Sequence, residues 1–511
     1  MTNLPSPLER TGSLFGGLRA DFRRRMPAFA SDFADGVNPS VFAAVLFLFF
    51  ACLAPGVAFG GLMSVATQGD IGVVEMLVAT AGCGVIYALT SAQPLTILGG
   101  TGPLLIFTQL LYGMCQSLHV PFLPTYAWVG LWSALWVVVM VATDASSLLK
   151  YFTRFTDETF GALISIIFVV QALTSVFGMF NNPEHEHSTA LFSVLLALTT
   201  YVIARRLVES RRGPYLRRTL RELFADFGPA IAVIAVTFGR RLLPDVSVPA
   251  LRMPMTFATT SGRPWLVDLF GVPQWIWFAA AVPGFLVALL VYLDQNITVR
   301  LVNSPQHKLK KGVGYHQDLF VTAILLAVCS MFGLPWLVAA TVRSLSHVRA
   351  LAKYEDNAQG ESVIVGIREN RLSGLLIHVL VGCSLLVTGL MRQVPMAVVY
   401  GLFLYMGISS MRGNQFFERL RLWVMDPNKM PDTHYMRQVP TGVIHRYTLA
   451  QGLALTVMWV VKSSALGILF PLLIALLVPL RNLLGKLLGK EHVETLDHEE
   501  EPGEEEDRNT E

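Results

Sequence analysis

The fold of this chain is decided by residues 333–343, which read GLPWLVAATVR, together with residues 99–105, which read GGTGPLL. In each stretch a helix-breaking run is followed at once by an apolar segment that is short for a spanning helix. A helix that begins inside a membrane directs its free N–H groups and the positive end of its dipole into the protein interior. Two such helix starts predict a site for a small anion.

Composition places the chain in a membrane. Of its 511 residues, 53% are hydrophobic and 15% are charged, and the mean hydropathy is +0.53. Soluble proteins carry about 25% charged residues, so a multi-spanning membrane protein is predicted. The sequence contains no phosphate-binding loop, nucleophile elbow or redox motif, and its cysteines show no paired spacing. We therefore expect no enzyme, no cofactor, no structural metal and no nucleic-acid partner.

The apolar runs predict an all-α polytopic fold, because a spanning segment must satisfy its backbone groups internally. Fourteen segments are expected in two seven-segment inverted repeats, since the short elements stand third and tenth. Their approximate bounds are 40–60, 72–93, 102–117, 124–143, 157–180, 189–204, 225–243, 273–295, 317–334, 341–353, 372–391, 395–411, 444–461 and 464–480.

The distribution of basic residues among the loops agrees with fourteen segments. The loops after even-numbered segments are rich in Arg and Lys, whereas most odd-numbered loops are poor in them, so both termini are predicted to be cytoplasmic. Residues 1–38 are expected to form a cytoplasmic N-terminal segment. Residues 39–487 would form the transmembrane transport domain. Residues 488–511 are strongly acidic and are expected to form a disordered cytoplasmic tail.

Two ionisable residues are candidates for the site itself. Arg343 lies at the start of the tenth segment, where its planar guanidinium would suit a trigonal oxyanion such as bicarbonate or carbonate. The alternative is an arginine that reaches back to the membrane interface. Asp294 ends a long apolar run, and an isolated carboxylate there is costly. It would pair with Arg343, a proton or a cation, or else extend to the interface.

Several neighbours complete the predicted site. Thr298 lies one turn beyond Asp294 on the same helix face, and with Thr341 it would offer hydroxyl oxygens to a sodium ion. The alternative is that these threonines bond only their own backbone. The other candidates share the two helix starts or the end of the first helix: Thr101, Gly102, Ala340, Val342 and Phe59. The competing interpretation of the run from Thr101 is a simple loop turn. For Phe59 it is a position in the hydrophobic core.

The motifs resemble those of the bicarbonate-transporter family, which includes the red-cell anion exchanger and the sodium–bicarbonate cotransporters. The resemblance extends from about residue 33 to residue 480. It rests most firmly on the run from Asp294 to His347, with DQNIT at 294–298, KLKKGVGYHQDL at 308–319 and AATVRS at 339–344. AFGGL at 58–62 and TGPLL at 101–105 add to it.

This resemblance implies more than the residues alone. It implies a core (39–150 and 273–391) that moves against a gate (151–245 and 392–487), within a homodimer in the cell membrane. It implies an anion between the starts of segments 3 and 10, with Phe107 nearby, and it places Lys462 at the outer mouth.

The chain also departs from the family pattern. Only about 38 residues precede the first predicted helix, so the large N-terminal domain of animal members is expected to be missing. Aspartate at 294 is similar to the sodium-coupled cotransporters, whereas arginine at 343 is similar to the sodium-independent exchangers.

Electroneutral exchange of bicarbonate for chloride by alternating access is the predicted function, because a fixed cation reduces the need for a mobile one. Sodium-coupled bicarbonate or carbonate cotransport is the main alternative. A borate, sulfate or nucleobase permease of similar fold and a non-transporting scaffold are more distant ones.

Overall fold

The computed structural model of the chain consists almost entirely of helices. It describes residues 6–183, 186–242, 245–254, 256–356, 362–426, 429–431, 433–464 and 466–498. The α-helices of this described part are α1 Gly16–Arg25, α2 Phe29–Ala34, α3 Pro39–Ala66, α4 Val73–Thr90, α5 Gly102–Leu118, α6 Phe122–Ala142, α7 Arg154–Phe177, α8 His187–Glu209, α9 Arg218–Gly239, α10 Gln274–Ala279, α11 Ala281–Val302, α12 Tyr315–Met331, α13 Thr341–Ala350, α14 Leu372–Cys383, α15 Thr388–Met391, α16 Met396–Met411, α17 Gln415–Arg421, α18 His434–Gln438, α19 Thr441–Lys462, α20 Phe470–Ala475, α21 Leu477–Leu488 and α22 Lys490–Asp497. The strands are β1 Leu98–Gly99, β2 Val338–Ala339, β3 Ala352–Asp356 and β4 Ser362–Ile367.

Many of these helices are suited to a bilayer. Within the described residues, eight helices are long and apolar enough to cross a membrane, and nine are if α20 and α21, bent by 45°, form one span. Two further apolar helices, α12 and α16, are shorter. A mostly helical membrane protein is thus confirmed, while the count of fourteen segments and the inverted repeat stay predictions.

The strands correct the all-α prediction. β1 pairs antiparallel with β2, and β3 pairs antiparallel with β4. The predicted tenth segment also proved too long, because α13 ends at Ala350 and β3 begins at Ala352. Where a helix is interrupted, buried N–H and C=O groups still need partners, and pairing with a second extended segment supplies them.

The described residues divide into two compact units. One contains residues 1–147 and 170–405, and the other contains residues 148–169 and 406–511. The predicted gate, 151–245 and 392–487, includes α9, yet α9 packs on α3 in the first unit, where Phe227 makes edge-to-face contacts with Phe47 and Phe50. Compactness and relative motion are different properties, so the division into core and gate stays a prediction.

The N-terminal segment is anchored by a buried ionic cluster. The side chain of Asp32, in α2, is fully buried. Its carboxylate lies 2.8 Å from the guanidinium of Arg25, 3.0 Å from that of Arg371 and 3.0 Å from Nζ of Lys311. Because each ion has opposite charges beside it, this cluster ties α1 and α2 to the segments before α12 and α14.

The C-terminal end corrects the prediction of a disordered tail from residue 488. The chain continues as α22 through Asp497, and two apolar residues of that helix are buried. The carboxylate of Asp497 accepts a hydrogen bond of 2.9 Å from the hydroxyl of Tyr447. Burial of these groups stabilises the helix despite the acidic composition. The remainder of the predicted tail, residues 499–511, lies outside the described residues.

We expect Asp32→Asn to lower the free energy of unfolding by about 3–5 kcal/mol, because it leaves two buried guanidinium groups with less compensation. Asp35→Asn is the matched control. Asp35 also pairs with Lys311, but its side chain is 50% exposed, so its loss should cost about 0–1 kcal/mol. Thermal unfolding of the purified protein measures both. Equal shifts for the two variants would contradict the assigned role of the buried cluster.

Candidate anion site

Two helix starts are brought together by a pair of short strands. In the β1–β2 ladder, Leu98 lies opposite Ala339 and Gly99 lies opposite Val338. The amide of Ala340 extends the ladder by donating to the carbonyl of Ile97 at 2.8 Å. Since α5 begins three residues after β1 and α13 begins two residues after β2, the pairing fixes both helix starts side by side.

The amides at these helix starts remain available. In α5, the first amide that donates to a carbonyl of the same turn is that of Leu105, which bonds to Thr101. In α13, the first is the amide of Ser344, which bonds to Ala340. Helix geometry leaves the amides that precede them without intrahelical partners. Neither N-cap side chain, Thr101 or Ala340, caps its own helix. The positive ends of both helix dipoles thus lie beside each other, next to the strand pair.

Helix α11 bridges the two helix starts through residues one turn apart. The hydroxyl of Thr101 donates to Oδ2 of Asp294 at 2.9 Å. The hydroxyls of Thr298 and Thr341 lie 2.7 Å apart, and that of Thr298 also lies 3.3 Å from the carbonyl of Ala339. The predicted candidates Asp294, Thr298, Thr101 and Thr341 therefore occupy one site. The threonines bond across elements, not only to their own backbone.

The side chain of Arg343 is buried beside these groups. Its side chain is 7% exposed, and Nη2 donates to the carbonyl of Gly100 at 3.0 Å. Nη1 is buried without a hydrogen-bond partner in the described structure. A β-carbon placed on Gly99 would lie 2.2 Å from Nη1. The guanidinium is therefore held against the β1–α5 turn with one donor nitrogen unused.

Asp294 and Arg343 do not form an ion pair, although each is buried. The carboxylate accepts from Thr101, and the guanidinium donates to Gly100. Within the described residues, neither side chain has an ionic partner within 4.0 Å. Of the alternatives open for Asp294, direct pairing with Arg343 is therefore not the one observed. A buried charge that has no paired ion is costly, and a mobile ion of opposite charge can compensate it.

A cavity of about 330 Å³ lies between α3, α5 and α7. Leu105, one turn inside α5, contributes to its wall, as do the polar side chains of Gln109, Tyr112 and Gln171. The wall of this cavity is therefore partly polar and reaches to within one helical turn of the α5 start.

The other predicted site residues have different environments. Gly102 and Ala340 belong to the helix starts, and Val342 is 72% exposed. The ring of Phe59 lies next to Gly100 and packs edge-to-face on Phe403 at 5.1 Å.

Two predicted residues are not brought to the helix starts. Phe107 is fully buried, with its ring 6.5 Å from that of Trp336, which is a core position. Lys462, in the second unit, lies over the ring of Trp459 at 4.9 Å. Its role at an outer mouth stays a prediction.

Three contributors were missed from the sequence. Gln295 accepts from the amide of Ala339 at 2.9 Å and donates to the hydroxyl of Tyr87 at 2.9 Å, which supports β2. Gly99 provides space for Arg343, and the thiol of Cys52 lies beside the same guanidinium. Only Gln295 left a signal in the sequence, because it belongs to a polar run inside an otherwise apolar helix.

We expect Gly99→Ala to reduce stability by about 1–3 kcal/mol, because the new methyl group would overlap the guanidinium of Arg343 in a packed interior. Gly113→Ala in α5 is the control, since a β-carbon there meets no heavy atom within 4 Å. Thermal unfolding of both variants in the same detergent tests the geometry. An unchanged melting temperature for Gly99→Ala would contradict the close approach.

The sequence matches a family model described as HCO3⁻ transporter integral membrane domain, over residues 13–188 and 181–501. It is 37% identical to sodium bicarbonate cotransporter 3 of Rattus norvegicus, over 96% of this chain and 46% of that protein. It is also 37% identical to the band 3 anion transport protein of Rattus norvegicus, over 95% of this chain and 55% of that protein. The chain thus spans about half the length of these curated relatives.

Solved structures share the fold at low sequence identity. The transmembrane domain of the cyanobacterial bicarbonate transporter BicA superposes with a TM-score of 0.56 at 16% identity, over 82% of this chain and 97% of that one. The murine anion transporter Slc26a9 gives a TM-score of 0.56 at 13% identity, over 88% of this chain and 68% of that one. On the family match and the relatives at 37% identity, this chain belongs to the bicarbonate transporter family, as an integral membrane domain of that family.

Proposed function

We propose that this chain is a secondary transporter of bicarbonate. The observation that carries the proposal is the buried guanidinium of Arg343, which has one unused donor nitrogen and lies between two helix starts with free amides. A planar oxyanion would receive hydrogen bonds from both kinds of donor. Membership of a bicarbonate transporter family supports the same substrate.

Alternating access is the mechanism we propose for the chain. The matched units β1–α5 and β2–α13 support an inverted repeat of seven segments each, because each unit is an extended pair of residues leading into a helix start. In this proposal a core of residues 39–150 and 273–391 moves against a gate of residues 151–245 and 392–487. A homodimer with both termini in the cytoplasm completes it.

Exchange of bicarbonate for chloride is the coupling we favour. Arg343 provides a permanent positive charge without an ionic partner among the described residues, so a monovalent anion of either kind would neutralise it. The same charge repels a sodium ion nearby in a medium of low dielectric constant. The relatives at 37% identity include a sodium-coupled cotransporter and an anion transport protein, so identity alone does not choose between the two couplings.

Sodium coupling is the second candidate, and one observation favours it. The carboxylate of Asp294 has no cationic partner within 4.0 Å in the described structure, and the hydroxyl of Thr298, one turn further along α11, lies 2.7 Å from that of Thr341. A carboxylate with hydroxyl and carbonyl oxygens is a donor set that suits a hard cation. A sodium ion at this place would replace the hydrogen bonds that these groups now make with one another.

The test is bicarbonate-driven pH change in proteoliposomes that contain the purified chain, with external sodium and internal chloride varied independently. Exchange predicts dependence on trans chloride and indifference to sodium. Strict dependence on sodium without chloride would replace exchange by cotransport. Absence of bicarbonate flux under every ion condition, with the protein correctly folded and inserted, would contradict the proposed function.

We expect Arg343→Ala to lower bicarbonate flux at least roughly tenfold, because hydrogen bonds to a charged group contribute about 1.5–3 kcal/mol. Arg343→Lys should retain part of the flux, since the charge remains while the planar donor pair is lost. Arg349→Ala, on the exposed face of the same helix, is the control. Wild-type flux in Arg343→Ala would remove Arg343 from the anion site.

Asp294→Asn separates the two couplings. In an exchanger the variant should keep chloride-dependent flux and change its dependence on pH, because a titrating carboxyl has been removed. In a cotransporter it should lose sodium dependence, as Thr298→Val should also. Flux assays across a range of sodium concentrations and pH values measure this. Unchanged ion and pH dependence would make Asp294 a purely structural acceptor for Thr101.

A further inference from the structure

Helix α1 and its flanks carry an apolar stripe that the rest of the described chain leaves partly exposed. Its members recur about every four residues along α1 and its flanks and are exposed or half-buried: Leu14, Leu18, Phe22, Met26 and Phe29. Side chains at this spacing lie on one face of a helix. Phe22 is 53% exposed. Apolar side chains gathered on one exposed face are typical of a helix that lies in a membrane interface.

The opposite face of α1 is fixed against the start of α12 by buried polar contacts, so α1 cannot rotate to bury the stripe. The carboxylate of Asp21 accepts hydrogen bonds from the amides of His316 and Gln317, at 2.8 and 3.3 Å, and so caps the start of α12. A β-carbon on Gly17 would meet the ring of His316 at 2.6 Å, which shows how closely the helices approach. The apolar stripe is therefore held outward.

A groove of about 530 Å³ runs beside the stripe, between α1, α4 and α12. We call it the α1 groove and define it by Arg19, Phe22, Arg23, Ile86, Phe320 and Ile324. Its volume is within the range of about 300–1,000 Å³ found for ligand pockets. Ile86 and Ile324 are 43% and 47% exposed, and both belong to apolar helices suited to a bilayer.

The α1 groove lies at one end of those helices. Its wall includes Thr90, the last residue of α4, and Gln317, near the first residue of α12. The ends of spanning helices meet the headgroup region of a bilayer. An occupant would thus have apolar walls toward the bilayer interior and polar contacts at the rim.

The rim of the groove is positively charged. Arg19 and Arg23 are exposed, lie one turn apart on α1, and border the groove. Neither has an ion-pair partner among the described carboxylates. Two adjacent guanidinium groups above an apolar groove complement a phosphate headgroup attached to an acyl chain.

We propose that the α1 groove binds an anionic phospholipid, whose phosphate contacts Arg19 and Arg23 and whose acyl chain lies against Phe22, Ile86, Phe320 and Ile324. The lipid would fix α1 at the membrane surface and, through Asp21, support the start of α12. This inference is independent of the transported ion, because it uses no residue of the anion site.

The test is native mass spectrometry of the delipidated full chain, titrated separately with phosphatidylglycerol, phosphatidylcholine and glycerol phosphate. We expect phosphatidylglycerol to bind in preference to phosphatidylcholine. Each of Arg19→Gln and Arg23→Gln should weaken that binding roughly fivefold, since a basic residue near an anionic lipid contributes about 1 kcal/mol. Arg10→Gln, in the same segment but outside the groove, should leave it unchanged.

A second variant tests the apolar part. Ile324→Trp fills the α1 groove without altering its charge, and it should weaken phosphatidylglycerol binding while leaving thermal stability near that of the wild type. Arg19→Lys with Arg23→Lys keeps the charge and should retain binding, which separates loss of charge from misfolding.

Four results would overturn the proposal. One is equal binding of phosphatidylcholine and phosphatidylglycerol. Another is binding of glycerol phosphate as tight as that of the whole lipid, which would reduce the site to an anion contact. The third is undiminished lipid binding in the Ile324→Trp variant. The fourth is a monomer–dimer balance that shifts with the groove variants, which would assign the surface to a second copy of the chain.

Discussion

The pairing of β1 with β2 is the constraint on which the site depends. Two residues from each strand join segments that are about 240 positions apart in the chain, and α5 and α13 begin directly beyond them. Without this ladder, the extended backbone before each helix would bury unpaired amides and carbonyls at substantial cost. The same ladder determines which side chains meet, because Thr101 and Arg343 stand at fixed distances from the paired residues.

Much of the candidate site could be predicted from the sequence, because its helix starts and its polar run are local features. The helix starts at 102 and 341 follow breakers, and the polar run at 294–298 interrupts an apolar helix, so their residue types and spacing are visible directly. What the sequence did not show is long-range. The approach of Gly99 to Arg343 depends on strand register, and the direction of a guanidinium depends on which carbonyl is close enough to accept.

The pairing of Asp294 with Arg343, one of the alternatives that the sequence leaves open, illustrates this limit. Opposite charges in one predicted site suggest mutual neutralisation. In the structure, however, Asp294 accepts from the hydroxyl of Thr101, and Arg343 donates to the carbonyl of Gly100. Short-range hydrogen-bond geometry decided the outcome, and sequence spacing does not encode that geometry. The strand pairs and helix α22 were missed for a related reason, since tertiary contacts stabilise short segments whose local preferences are weak.

The separation of these two charges is what makes a mobile ion useful. A direct ion pair would neutralise both groups and leave a small anion little to gain by entering. Because the guanidinium has no ionic partner among the described residues, an anion that reaches the helix starts meets a full positive charge and two helix dipoles in a medium of low dielectric constant. The carboxylate of Asp294, which accepts from Thr101 at the start of α5, opposes this attraction. It thereby limits how tightly the anion is held, and a carrier must release its substrate as well as bind it.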